Sequence, residues 1–352
     1  MTCPDDSICQ SPGALRAPTL QIHPSRHCNL TCKHCYSDSS PSSRQALAVE
    51  TVRAVIADAA DMGYQVLSVS GGEPFMYPGL GELLAYAKSR GLRTTVTTNG
   101  YFLKRRWLDP LKGLIDTLAV SLDGPPDLHN EMRGSPKAFE RLSVGLNTLG
   151  ALQIPFGIIH TVTLRNWQHL PWVAEFAHSS GAKLLQLHPL ELSGRAHAEM
   201  DADSPDQDVL SRVYLLSFVL ASQYLNLLSI QCDLLHRQYV EANPELIYSA
   251  ENRPEDQEQA PAKLLSLLIL EPDGALVPVS YGFGRAYQIC NVEQQRLAAA
   301  WPHFVKSGYP EFRLLCRRLF DDIVQGNIHQ LFNWYEKIVE RSQQPALVEL
   351  SA

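Results

Sequence analysis

The sequence predicts an α/β fold: a partial (β/α)6 barrel of TIM-like build, followed by a small C-terminal β-hairpin and a helical extension. Two observations carry this expectation. Six strand-like runs between Thr19 and Pro189 alternate with runs whose apolar residues recur at helical spacing, a pattern that implies parallel strands joined by right-handed crossovers. Beyond about residue 198 the rhythm stops, and a turn signal at Pro272, Asp273 and Gly274 separates two further strand-like runs.

Taken in order, the first strand is "TLQIHP" from Thr19, and a cysteine-bearing loop follows it directly. Val49, Val52, Ile56 and Ala59 then mark a helix ending at Gly63, and "VLSVS" at Val66 to Ser70 is the second strand. Leu80, Leu83, Leu84 and Ala87 mark the next helix, which precedes the β-branched run Thr94 to Thr98. Thr117–Ser121, Phe156–Thr163 and Leu184–Pro189 are strands four to six, with helices around Phe139–Leu149 and Trp172–His178. The expected organisation is a tail over 1–18, the barrel over 19–198, a linker helix and acidic loop over 199–260, and the hairpin with C-terminal helices over 261–352. Helices are expected around Phe312–Ile323 and Leu331–Val339, and the stretch Glu251–Pro261 reads as a mobile acidic loop.

Composition narrows the function. The net charge is -7 with no long basic run, so a nucleic-acid partner is not expected. The longest apolar run, Leu264 to Leu270, is far shorter than the ~18–20 residues of a membrane helix, so no membrane partner is expected either. Eight cysteines without a signal-peptide pattern suit a reducing, cytoplasmic compartment.

Chemistry concentrates in "HCNLTCKHCY", His27 to Tyr36, where Cys28, Cys32 and Cys35 share one loop after the first strand. Barrel enzymes place their sites on the rim at the C-terminal strand ends. Thiolates suit zinc or iron-sulfur clusters. A closed zinc site would need a fourth ligand, for which His23, His27 or His34 is available. On a 4Fe-4S cluster, three thiolates would leave one iron open.

The spacing of Cys28, Cys32 and Cys35, joined by "GGEP" at Gly71 to Pro74 after the second strand, resembles the radical S-adenosylmethionine (SAM) enzymes. The resemblance covers residues 19 to about 198. It implies one 4Fe-4S cluster held by the three cysteines, with SAM bound through its amino and carboxylate groups to the fourth iron. It implies cofactor contacts from Gly71, Gly72, Glu73 and Pro74, from Thr98 and Asn99 in "TTNG", and from Ser121 and Arg133 in "SLDGPPDLHNEMRG". Ser121 and Arg133 resemble the pair that holds the SAM carboxylate or ribose, with Asp123 and His129 bracing that loop. Thr163, Asn166 and His188 fall where the family flanks the adenine, and Tyr36 and His34 are expected on the adenine side of the cysteine loop.

The C-terminal unit resembles, more loosely, the SPASM extension of peptide-modifying members. It offers only Cys232, Cys290 and Cys316 after the core, too few and too scattered for auxiliary clusters. The hairpin is expected to serve as a lid or substrate platform, and Cys290 or Cys232 is a candidate hydrogen-atom donor. The resemblance implies reductive cleavage of SAM, hydrogen abstraction by a 5'-deoxyadenosyl radical, and a low-potential electron donor such as flavodoxin or ferredoxin. Two substrate classes are expected: a ribosomally made peptide, suggested by the SPASM-like hairpin, or a small molecule or cofactor precursor, suggested by the missing auxiliary cysteines. A non-catalytic zinc- or cluster-binding protein is the remaining alternative.

Overall fold

The computed structural model describes residues 17–247 and 259–344. Cys3, Cys9 and most of the expected acidic loop therefore lie outside the described residues. The strands are β1 (Thr19–Ile22), β2 (Val66–Val69), β3 (Arg93–Thr98), β4 (Thr117–Ser121), β5 (Phe156–Val162), β6 (Leu184–Pro189), β7 (Ser229–Cys232), β8 (Leu235–His236), β9 (Leu267–Leu270), β10 (Ala275–Pro278), β11 (Cys290–Asn291) and β12 (Leu331–Phe332). Ten of them form one sheet in the order β11-β10-β9-β1-β2-β3-β4-β5-β6-β7. Every pair from β9 through β1 to β7 is parallel, and β10 runs antiparallel to both of its neighbours. Among the described residues β7 and β11 do not pair with each other, so the barrel is partial.

Helices cover one face of the sheet because the sequence gives each of them an apolar stripe. Val49–Asp61 buries Val52, Val55, Ile56 and Ala59, and Leu80–Ser89 buries Leu80, Leu83, Leu84 and Ala87. These stripes lie in one core with Leu20, Ile22, Leu67, Val69, Val96, Leu118, Val120, Ile158, Leu185 and Leu187, all wholly buried. Strand side chains alternate between faces, so the register assigns the other face as well. Gln21 stands beside Ser68, and Ser68 beside Thr95; further along, Ser121 stands beside Ile159, Ile159 beside Gln186, and Thr161 beside His188. This inner face is polar and half-buried over most of its width.

Three of the differences from the sequence reading bear on the edges of the sheet. β7 was not expected; "SIQC" carries one large aliphatic residue and no alternation, and it becomes a strand only because β6 offers a parallel edge. Leu331 and Phe332 were expected to begin a helix. They pair instead with β8, and the helix Trp334–Gln343 starts after Asn333, whose side chain accepts from the Tyr335 N–H at 3.0 Å. The hairpin, expected as a lid or platform, instead extends the main sheet beside β1. Its inner-face residues Ile269 and Val277 are buried like its outer ones.

The C-terminal segment ties the sheet's two edges together. On the hairpin side, Gly284 N donates to Ser342 Oγ (2.8 Å) and Gln343 Nε2 donates to Gly282 O (2.7 Å). On the β7 side, β12 pairs with β8, and Arg237 N donates to Gln330 O (2.9 Å). A strap therefore crosses the gap that the open barrel leaves. Among the described residues no helix is long and apolar enough to cross a membrane.

Candidate active site

The cysteine loop leaves β1 at the C-terminal rim and is pinned from three directions. Cys28 N donates to Ser40 O (3.2 Å), Lys33 N to Met132 O (2.9 Å), and Arg195 N to Cys35 O (3.0 Å). Arg195 also donates from Nη1 to Cys32 O (2.9 Å) and from Nη2 to Ser39 O (2.8 Å), and pairs with Asp38 at 3.0 Å. Gly194 allows that approach: its φ is +58°, and a Cβ there would lie 2.4 Å from Tyr36 O. Around the thiols, Leu30 and Tyr101 form a small apolar cluster with Cys28, Cys32 and Cys35. Burial pushes the Cys28 thiol up to about 12 and raises Cys32 too, although Arg133 pulls Cys32 back.

The glycines of "GGEP" permit close approach, and the partner is the cysteine loop itself. A Cβ on Gly72 would lie 2.1 Å from His27 O, and Gly71 has a φ of +112°. Gly72 N donates to Ser25 O (2.8 Å) and Glu73 N to His27 O (2.9 Å). Among the described residues, no donor reaches the Gly71 or Gly72 carbonyl. An ammonium group needs acceptors of this kind.

Glu73 and the "TTNG" turn bind one another. The Glu73 carboxylate accepts from Thr98 Oγ1 (2.8 Å), Asn99 N (2.9 Å) and Phe75 N (3.3 Å). Burial raises its pKa to about 7 while those donors oppose the shift. Pro74 begins the buried turn Pro74–Met76. Asn99 Nδ2 reaches Asn29 Oδ1 (2.9 Å) and Cys28 Sγ (3.8 Å). Glu73, Thr98 and Pro74 thus brace the rim. Ser121, at the end of β4 on the inner face, is half-buried, and among the described residues its hydroxyl has no partner.

Arg133 differs from its expected place. Its Nε and Nη2 donate to Asp123 Oδ2 (2.6 Å) and Oδ1 (3.2 Å), so the fork that would clamp a SAM carboxylate already holds a carboxylate. Nη1 points to Cys32 Sγ at 3.8 Å. Burial opposes ionisation of Asp123, but Arg133, then His34 and His129, hold its pKa well below the usual carboxylate range. His34 lies against this pair, its Nε2 3.7 Å from Asp123 Oδ2, and burial lowers its pKa to about 4. Tyr36 bonds Ser70 (3.3 Å) and packs against Tyr281 of the C-terminal unit, ring centroids 5.3 Å apart.

Thr163 is wholly buried and structural: its N–H donates to Asn166 Oδ1 (2.7 Å) and its Oγ1 accepts from Arg165 N (3.3 Å). Asn166 Nδ2 in turn bonds Asp123 O (3.0 Å) and Thr161 O (2.7 Å). His188 sits on the inner face between two carboxylates, Nδ1 at 2.9 Å from Asp233 and Nε2 at 3.2 Å from Glu191. Burial opposes its charge, but Glu191 and Asp233 raise its pKa well above 6.5. Asn333 Nδ2 donates to Glu191 Oε1 (2.9 Å), and Gln186 Nε2 to Asp233 Oδ2 (2.6 Å).

The two candidate hydrogen donors are misplaced for that role. Cys232 registers with Leu187, and Cys290 with Leu276, which registers with Leu270 and so with Ile22. Both thiols therefore face the helix layer, away from the inner face. Burial pushes Cys232 to about 12 and Cys290 to about 11. Sequence reasoning missed Asp233, Glu191 and Tyr281, which carry no local motif. Arg195 was within reach, since it follows Gly194 in the "GRA" stretch.

Among the described residues no three His, Cys, Asp or Glu side chains converge on one metal ion. The free carbonyls of the Gly71–Gly72 turn and the open Ser121 hydroxyl also suit an amino-acid headgroup beside the thiols. Three thiols on one loop beside those carbonyls fit a cluster with one open iron.

A family model described as Radical SAM superfamily matches residues 22–177. The AdoMet-dependent heme synthase of Methanosarcina barkeri is 34% identical over 181 residues, 51% of this chain and 52% of that protein. The antilisterial bacteriocin subtilosin biosynthesis protein AlbA of Bacillus subtilis is 27% identical over 183 residues, 50% of this chain and 41% of that protein. The chain spans about half the length of the curated relatives it matches. Streptococcus suis SuiB bound to precursor peptide SuiA shares the fold with a TM-score of 0.65 at 19% identity, over 84% of this chain and 66% of that one. The matched segment runs from the end of β1 through the cysteine loop, the glycine turn and the Asp123–Arg133 pair, and over these residues the chain is similar to the radical SAM superfamily.

Proposed function

We propose that the chain is a radical SAM enzyme that removes a hydrogen atom from a ribosomally synthesised peptide. The observation that carries the reaction class is the gathering of three thiols on the barrel rim, with two carbonyls and a hydroxyl on the same rim that have no partner among the described residues. Cys28, Cys32 and Cys35 would hold three irons of a 4Fe-4S cluster as thiolates. The Gly71 and Gly72 carbonyls would receive the SAM ammonium, and the Ser121 hydroxyl would donate to its carboxylate or ribose. When bound, the cluster and SAM together supply a 5'-deoxyadenosyl radical able to attack an unactivated C–H bond. Leu30 and Tyr101 pack against the thiols, and the polar inner face from Gln21 to His188 would orient substrate. A low-potential donor such as flavodoxin or ferredoxin would deliver the electron.

The peptide reading is supported by the likeness to SuiB, which extends past residue 177 into the C-terminal unit, and by the similarity to AlbA. A small-molecule reading draws on the heme synthase, more similar over the core at 34% identity. The scattered cysteines after residue 198 favour a single cluster in either case.

Anaerobic reconstitution should give about four irons and four sulfides per chain; eight or more would overturn the single-cluster reading. Replacing Cys28, Cys32 and Cys35 together by alanine should abolish 5'-deoxyadenosine formation under strong reductant, and persistent formation would refute the site. Incubation with peptides encoded beside the gene, followed by mass spectrometry, separates the substrate classes. A mass change in such a peptide supports the first reading, and its absence favours the second.

A further inference from the structure

The three thiols of the cysteine loop face unequal donors. Cys28 Sγ faces the neutral amide of Asn99 at 3.8 Å. Cys35 Sγ faces Ser39 N at 3.3 Å and Ser37 Oγ at 3.5 Å, both neutral. Among the described residues only Cys32 Sγ has a cationic donor, Arg133 Nη1 at 3.8 Å. Arg195, the loop's other cation, reaches the Cys32 carbonyl rather than the sulfur and pairs with Asp38.

Arg133 is fixed rather than wandering. It is 8% exposed, and Asp123, fully buried, holds it through two bonds. Asp123 is itself fixed by Asn166 Nδ2 on its carbonyl (3.0 Å), by its own N–H on His129 Nδ1 (3.1 Å), and by His34 and His129 each 3.7 Å from Oδ2. Such an assembly aims a guanidinium at one sulfur and places a compensating carboxylate just behind it.

We propose that Arg133 is a positioning residue that sets the reduction potential of the cluster through Cys32, with Asp123 opposing it. The inference rests on the radical SAM reading of the site. Reduction adds one electron, supplied by an external low-potential donor, and no proton. The reduced cluster is the more negative state, so a buried cation with an N–H···S bond favours it and raises the potential. A carboxylate behind that cation lowers the potential again. The neutral donors at Cys28 and Cys35 act in the same sense as Arg133, but less strongly.

The test is a redox titration of the reconstituted full-length protein with dithionite, followed by electron paramagnetic resonance, without SAM. Arg133→Gln should shift the midpoint negative by roughly tenfold in the one-electron equilibrium, about 59 mV. Arg133→Lys should shift it less in the same direction, and Asp123→Asn should shift it positive. Opposite signs for the Arg133 and Asp123 variants would not follow from a merely structural role. Should Arg133→Gln lose its iron, the signs of Arg133→Lys and Asp123→Asn decide. Unchanged midpoints with four irons retained, or shifts of one sign in both, overturn the proposal and leave the reaction class standing. A wild-type protein without acid-labile sulfide overturns the site reading and this proposal with it.

Discussion

At the scale of single residues, the rim is built from groups that hold one another, and their removal has calculable consequences. Gly72→Ala would push a methyl group into the His27 carbonyl. It should cost about 1–3 kcal/mol in urea unfolding of the metal-free protein and reduce iron uptake on reconstitution. Glu73→Ala would strand the Thr98 hydroxyl and the Asn99 N–H in a buried site. A loss of about 2–3 kcal/mol is expected, and an unchanged midpoint would show that water replaces the carboxylate. His188 gives a pH signature. Its folded pKa lies well above 6.5, so its contribution is complete below the unfolded value near 6.5, declines from there, and is gone above the folded value. Wild type compared with His188→Asn by urea unfolding should therefore show an advantage below pH 6.5 that fades as pH rises; an advantage that grew instead would contradict the two-carboxylate setting.

At the scale of elements, Asn333 joins the C-terminal strap to the inner face by two separate bonds. Its Oδ1 caps the helix Trp334–Gln343, and its Nδ2 reaches Glu191. Asn333→Ala should cost about 0.5–2 kcal/mol by loss of the cap alone. Asn333→Asp keeps the cap but sets a second carboxylate against Glu191, so it should strengthen the hold on a protonated His188, visible as a higher imidazole pKa by NMR. The sequence made the six barrel strands legible because each pairs an apolar face with a helix of matching stripe. β7, β8 and β12 were hidden because two to four residues with no alternation take strand form only from a neighbour's edge. The cysteine loop and the glycine turn were legible as motifs. The engagement of Arg133 by Asp123 was not, since "SLDG…RG" names both residues without saying which way the guanidinium turns. The rim role of Glu73 was likewise hidden behind its place in a motif.

At the scale of the whole molecule, the barrel and the C-terminal unit share one sheet. A chain ending before Leu267 would leave the backbone of β1 unpaired on one side, an apolar edge open to other chains. Such a truncation should be mostly insoluble, or associate on sedimentation; a stable monomer would show that the hairpin is dispensable to the barrel. β1 is made first and obtains its second neighbour, β9, late. At about 5–20 residues per second, the roughly 250 residues between them take on the order of 10–50 s to synthesise. Throughout that interval the strand that launches the cysteine loop remains a sheet edge. The nascent chain is thus open to mispairing beside the cysteine loop until β9 has been made.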